Sequence, residues 1–304
     1  MRSIITYYGG KGYSWRRIIP HFPPHYTYAE PFGGSAAVLL NKETSPVEVY
    51  NDIDSNLVTI FRVLRDHPDE LRRALELTPY SREEYVRCLG PLDGLDDVEK
   101  ARRLIVRYRQ AFGGTGQKAT PGRWRYSVTA SRRGMASEVS KWLSTIDAVM
   151  PAVVERFRRV QIENLPWQEI VRRYDTPDTL FYCDPPYLLS TRTGHAAYQY
   201  ETTTEEHREL AEVLNSARGH VVLSGYASPE YDEWYAGWER VEFDATLSAR
   251  SDRQRSRDKR TEVLWIKPAE REGFDSVGIE MNPEYCEIIR KRMAHPEPVQ
   301  ACLL

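Results

Sequence analysis

Short stretches of apolar and β-branched residues alternate with segments of helical spacing at both ends of this 304-residue chain, and a mostly helical middle separates the two ends. No other feature narrows the fold as far. Parallel neighbouring strands need crossovers long enough to hold a helix, so such alternation predicts an α/β protein with a mixed, doubly wound sheet. Strands are read over 27–30, 47–50, 160–165, 179–183, 220–224, 241–245 and 262–266, and helices over 36–40, 55–66, 68–90, 98–112, 137–157 and 204–217. One arm of a hairpin is read over 123–128, after a Gly-rich loop. The pattern places a discontinuous core in 1–61 plus 160–270, a mostly helical insertion in 62–159 and a C-terminal extension in 271–304.

Composition excludes several classes of protein. Hydrophobic residues at 41% and charged residues at 28% rule out collagenous, mucin-like and coiled-coil chains. No apolar run reaches the roughly 20 residues of a membrane helix, so no membrane partner is expected. The first residues, Met1-Arg2-Ser3-Ile4-Ile5-Thr6-Tyr7-Tyr8, lack the apolar centre of a signal peptide and predict a cytoplasmic protein. Cys88, Cys183, Cys286 and Cys302 form no CxxC pair, which speaks against structural zinc and against a disulfide framework; no metal is expected.

Charge is informative only once it is divided along the chain. The net value is −2, yet residues 100–160 hold fourteen Lys or Arg against three acids, so that segment is +11 and the remainder −13. A second basic cluster comprises Arg250, Arg253, Arg255, Arg257, Lys259 and Arg260. Solvated helix faces account for one such run; two runs in an otherwise acidic chain point to a polyanion partner, because phosphate contacts gain affinity by releasing counterions.

Two sites carry chemistry. In the first, Glu30-Pro31-Phe32-Gly33-Gly34-Ser35 stands where a strand hands over to the next segment, and its glycines allow a ligand to approach the backbone. Asp52 ends the second strand 18 residues after Gly34, where a carboxylate accepts hydrogen bonds from ribose hydroxyls in nucleoside-binding α/β folds. A full GxGxxG is missing, and Gly9-Gly10-Lys11 lacks the remainder of a Walker A loop. The second site is Asp184-Pro185-Pro186-Tyr187, into which the apolar strand Leu180-Phe181-Tyr182-Cys183 runs directly. Consecutive prolines fix the backbone and leave carbonyls that no local N–H claims. A carboxylate, a free carbonyl and an aromatic face are the parts needed to hold an exocyclic amine and its ring. Accepting both amine hydrogens localises the nitrogen lone pair and raises its nucleophilicity.

Four segments taken together resemble the Dam-like DNA adenine N6-methyltransferases: Tyr7-Tyr8-Gly9-Gly10-Lys11, Ala29 to Ser35, Asn51-Asp52-Ile53-Asp54-Ser55-Asn56-Leu57 and Asp184 to Tyr187, in that family's order and over residues 5–267. The resemblance implies a Rossmann-like methyltransferase sheet with a target-recognition insertion, acting without magnesium. It implies that Tyr7, Gly10, Lys11 and Asp52 contact S-adenosylmethionine, with Glu30, Pro31, Phe32 and Gly33 shaping the pocket and Asp184 beside it. Asp184, Pro185, Pro186 and Tyr187 then hold a flipped adenine of double-stranded DNA, and methyl transfer to N6 leaves S-adenosylhomocysteine. Position 7 is Tyr where relatives often have Trp. Cys183 is read as core filler, pointing away from the base by strand alternation.

The insertion becomes the target-recognition domain in this reading. Arg107, Arg109, Gln110, Gln117, Lys118, Arg123 and Arg125 flank its Gly-rich loop, and Arg and Gln suit guanine and adenine edges in the major groove. Most such cations bind phosphates, so no recognition sequence is assigned. Arg250 and Arg260 are expected to clamp the DNA backbone. The protein is read as a monomer, with any cognate restriction endonuclease acting separately. Val277-Gly278-Ile279-Glu280-Met281-Asn282-Pro283 resembles the acidic second-strand motif of a differently permuted methyltransferase class; since Asp52 already fills that role, the tail is read as a vestige with a packing task. Two alternatives stand beside this reading: cytosine N4 transfer, which also uses an exocyclic amine, and a catalytically inactive DNA-binding protein on a methyltransferase scaffold.

Overall fold

The computed structural model describes residues 1–7, 9–12, 14–114, 116–191, 202–245 and 260–268. A one-turn helix, α1 (Trp15–Ile18), precedes β1 (Thr27–Glu30) and β2 (Val47–Asn51). Next comes α2 (Ser55–Asp66), whose N-cap Asp54 accepts from the Asn56 N–H, and whose Leu57, Ile60, Phe61 and Leu64 are buried. The helix expected over 68–90 is two helices, α3 (Pro68–Glu76) and α4 (Arg82–Cys88). Pro79 disfavours helical geometry at Thr78, and Ser81 caps a new start by accepting from the Glu84 N–H. α5 (Asp97–Gln110) then packs against α2, α3 and α4.

The hairpin lies later than expected. Residues 123–128 make only an isolated bridge, Ala111 to Trp124, while β3 (Ser131–Arg132) and β4 (Met135–Ala136) pair antiparallel. Arg133 and Gly134 both have positive φ, which suits the two-residue turn between twisted strands. The helix read over 137–157 is α6 (Ser137–Ser144), a π-helical turn at Thr145–Val149 and α7 (Met150–Phe157). The chain continues through β5 (Gln161–Glu163), α8 (Trp167–Tyr174), β6 (Thr179–Cys183), α9 (Thr204–Ser216), β7 (His220–Tyr226), α10 (Pro229–Trp234), β8 (Glu239–Ala245) and β9 (Arg260–Ile266).

The described strands form one seven-stranded sheet of order β5-β2-β1-β6-β7-β9-β8, beside the small hairpin. β5, β2, β1, β6 and β7 run parallel, and β9 is antiparallel to both of its neighbours. This is the α/β architecture anticipated from the alternation. Chain order reverses between β1 and β6, so the carboxyl ends of β1, β2 and β6 meet at a switch point, where doubly wound sheets bind ligands.

Strand alternation sorts the core into two layers. Tyr28, Leu180 and Tyr182 face one cluster together with α2, α5 and α7, where Phe61 and Phe157 stack 4.5 Å apart. Ala29, Phe181 and Cys183 face the other, with Ile170, Leu210, Leu214 and Tyr231. Helices of the insertion thus share a core with the sheet. A buried charge cluster reinforces that join: Glu48 of β2 takes Lys42 Nζ at 2.6 Å and Arg156 of α7 in a two-pronged pair.

Candidate active site

Three strand ends and one irregular N-terminal segment bound a cavity of about 390 Å³. Glu30 closes β1 and is buried; its Oε1 accepts from the Tyr28 hydroxyl at 2.6 Å and from Leu39 N at 2.7 Å. Burial, against those two hydrogen bonds, pushes its carboxyl up to about 8. The helix expected over 36–40 does not form. Gly34 and Ala36 are both left-handed, with φ of +50° and 55°, and the segment folds as successive turns that place Leu39 N on Glu30. Gly33 has no room for a side chain: a Cβ there would lie 2.3 Å from the Tyr50 ring.

Asp52 follows β2. Its Oδ2 accepts from Gly34 N and its Oδ1 from Asp54 N, each at 2.8 Å. Burial, with the Asp54 charge adding to it, outweighs these bonds and raises the Asp52 carboxyl to about 6. Tyr7, Gly10, Lys11, Pro31, Phe32 and Gly33 line the same cavity, as do Glu30, Asp52, Asp184 and Pro186. The expected cofactor residues are therefore brought together. Sequence reading missed part of the wall: Ile53, Tyr182 and Trp167 also line it, and the Phe32 and Trp167 rings lie 6.3 Å apart. Trp167 opens α8, and no local pattern distinguishes it from an ordinary amphipathic-helix residue.

Beside the cavity lies a charged knot. Lys11 Nζ donates to Asp184 Oδ1 at 2.7 Å and to the Tyr187 hydroxyl at 2.6 Å, and stands 3.1 Å from Glu262 Oε1. Tyr187 donates in turn to Glu262 Oε1 at 2.9 Å, and its ring meets Tyr226 edge-on at 4.6 Å. Against the cost of burial, the Asp184 and Glu262 carboxylates hold the Lys11 ammonium well above its ordinary pKa. Burial raises Asp184 despite that cation, and Glu262 adds to the rise. One cation thus stands between two carboxyl groups. Pro185 is buried and Pro186 lines the cavity; Cys183 is buried in the second core layer, pointing away from the site.

The insertion corrects two expectations about DNA contacts. Arg109 donates from Nε to Ile4 O at 2.7 Å and also to Ser3 O and Thr6 Oγ1, and burial pushes it down to about 10. Arg107 donates to the Cys88 and Gly90 carbonyls. Both guanidinium groups are committed to backbone oxygens, whose lone pairs sequence cannot display. Lys118 and Arg123 are exposed, and Arg125 stands 3.6 Å from Glu138. Gln117 contributes its backbone to a 3-10 turn, Gly116–Lys118. Phe112, Tyr126 and Val128 are exposed around the same loop, and Arg82 lies 4.9 Å above the Trp124 ring. Arg250 and the tail over 277–286 lie outside the described residues, as does the side chain of Arg260.

A sheet of this order, with its antiparallel strand inserted next to the edge and a carboxylate-lined cavity at the switch point, defines a Rossmann-like methyltransferase. The D12 class N6 adenine-specific DNA methyltransferases match residues 7–248, and the chain belongs to that family. Its relatives include the Type II methyltransferase M1.LlaDCHI of Lactococcus lactis subsp. cremoris, 27% identical over 87% of this chain and 94% of that one. The DNA adenine methylases of Salmonella typhi and Escherichia coli K12 are 25% and 24% identical, each over 77% of this chain and 84% of their own. The enzyme is an adenine-specific DNA methyltransferase acting at N6, which sets the cytosine N4 reading aside. Among the described residues no helix is long and apolar enough to cross a membrane.

Proposed function

We propose that the cavity binds S-adenosylmethionine and that Asp184-Pro185-Pro186-Tyr187 receives an adenine flipped out of duplex DNA. The observation that carries this reading is the convergence of Asp52, Asp184 and the Lys11 segment on one cavity at the switch point. The residues fit the group. The cavity falls in the roughly 300–1,000 Å³ range of small-molecule sites. Asp52 offers acceptors to ribose hydroxyls, Phe32 and Trp167 offer apolar faces to a base, and the Asp184 carboxyl on the cavity wall suits a neighbouring sulfonium. When bound, the cofactor would supply an electrophilic methyl group; the amine nitrogen that accepts it takes on the positive charge and then gives up one of its own two protons.

The chain's own part is positioning. Asp184 and the Pro185 carbonyl accept the two amine hydrogens and direct the nitrogen lone pair away from the ring plane. Tyr187 stacks on the flipped base and offsets part of the few kcal/mol lost on unstacking. Asp184 need not act as a strong base, because the proton leaves only once the new bond has formed. Lys118, Arg123 and Arg125, with the exposed rings around their loop, form the DNA-reading face of residues 62–159, while residues 1–61 and 160–270 are the catalytic core. In this reading the enzyme works in the cytoplasm, where its substrate is chromosomal or invading DNA, and as a monomer with any partner endonuclease working separately.

Tritiated methyl transfer to unmethylated genomic DNA, followed by nucleoside analysis, tests the reading. Wild type yields N6-methyladenine and Asp184→Ala loses at least about a hundredfold in rate, as when one polar group is removed from a preorganised site. Cofactor and DNA binding without any label in wild type would favour the inactive-scaffold alternative instead.

A further inference from the structure

In the knot, the ammonium of Lys11 is bonded to Oδ1 of Asp184, the carboxylate that receives the substrate amine in the reading above. An amine approaching that oxygen competes with a buried cation. Glu262 stands where that cation can go: its Oε1 is already 3.1 Å from Lys11 Nζ, and β9 fixes it from both sides by pairing Glu262 with Tyr226 and with Phe243. The same carboxylate accepts from the Tyr187 hydroxyl at 2.9 Å and from Ser14 Oγ at 3.3 Å. Tyr187 thus has its hydroxyl pinned between a donor, Lys11, and an acceptor, Glu262, while Tyr226 packs against its ring.

We propose that Glu262 is a positioning residue for methyl transfer: it takes over the Lys11 ammonium when the adenine amine occupies Asp184, and it sets the plane of Tyr187 for stacking on the base. This inference rests on the reading of the site given above. Two carboxylates around one ammonium make the exchange cheap, because the cation keeps an ion-pair partner throughout. With Glu262 neutral, Asp184 is the one carboxylate left within ion-pair distance of Lys11 among the described residues. The ammonium then holds to Asp184 and competes with every incoming amine. Ser14 and Tyr187 also lose the charge that holds them.

The test uses the full chain, single-turnover methylation of a duplex bearing the target adenine, and four variants. Glu262→Gln keeps shape and hydrogen-bonding capacity and is expected to slow methyl transfer between about tenfold and a hundredfold, the range a small misplacement costs. The cofactor concentration that half-saturates the single-turnover rate stays within about twofold, since Glu262 is not among the residues that line the cavity. Glu262→Asp, which keeps the charge, recovers most of the lost rate. The decisive comparison is made with Lys11 absent: on a Lys11→Met background, adding Glu262→Gln costs at most about twofold, because no ammonium is left to receive and the amide oxygen still accepts from the Tyr187 hydroxyl. A merely structural Glu262 would instead slow both backgrounds equally and lower both melting points. Full activity in Glu262→Gln, equal losses on the two backgrounds or no rescue by Glu262→Asp each overturn the inference while leaving the enzyme's reaction intact. A wild type that transfers no methyl group overturns the functional reading, and this inference with it.

Discussion

Asp52 shows how one buried carboxylate ties cofactor binding to pH. Two backbone N–H groups already point at it, yet burial keeps its pKa near 6, against 3.8 in a solvated chain. Only the ionised form offers both oxygens as acceptors to ribose hydroxyls. Cofactor affinity is therefore constant above pH 7 and falls by about tenfold by pH 5, as single-proton linkage requires. Calorimetric titration across that range checks it, and Asp52→Asn flattens the profile at a weaker level. Stability moves the other way at this residue. The native pKa lies above the unfolded one, so ionised Asp52 is a cost fully present above pH 6, and it is relieved as pH falls towards 4. The convergence of Asp52, Asp184 and Lys11 on one cavity was legible at this scale, because each stands in a short motif with fixed neighbours. Glu262 was not, since a lone acid in a seven-residue strand acquires its role only through the register of β9 against β7.

α5 does more than its sequence suggested. Within its last turn, Arg109 bonds to the carbonyls of Ser3 and Ile4, the Tyr108 ring lies 5.9 Å from that of Tyr7, and Gln110 accepts from Trp124 Nε1. A single helical turn thus holds the irregular segment that carries Tyr7 and Lys11, and the loop that carries the exposed cations. Arg109→Ala is expected to raise the cofactor KM severalfold and leave the salt dependence of DNA binding unchanged. Lys118→Ala should do the reverse, reducing the slope of log K against log salt by about 0.9, the signature of one lost phosphate contact. Filter-binding titrations over a range of salt separate the two. Periodicity identified α2, α5, α9 and most strands. It failed where a single residue overrode it, at Pro79 between α3 and α4 and at left-handed Ala36. The +11 of residues 100–160 likewise overstated the basic surface, for Arg102 is paired with Glu84 and Glu99, and Arg156 with Glu48.

At the scale of the whole molecule, residues 1–268 form one compact unit in which the insertion and the sheet share a core layer. Fold class was readable from strand–helix alternation alone; the shared core was not, because it depends on which helix faces meet across distant segments. Arg156→Met strands Glu48 with Lys42 as its remaining cation and is expected to cost about 3 kcal/mol, the lower end for breaking a buried pair. Urea unfolding followed by fluorescence and by circular dichroism should then show a lower midpoint with the two probes still coincident, since core and insertion melt together. The knot itself has a consequence for how the protein is made. Its members are spaced along the chain from Lys11 through Asp184 and Tyr187 to Glu262. Lys11 is translated long before Glu262, so the knot stays incomplete until β9 has emerged.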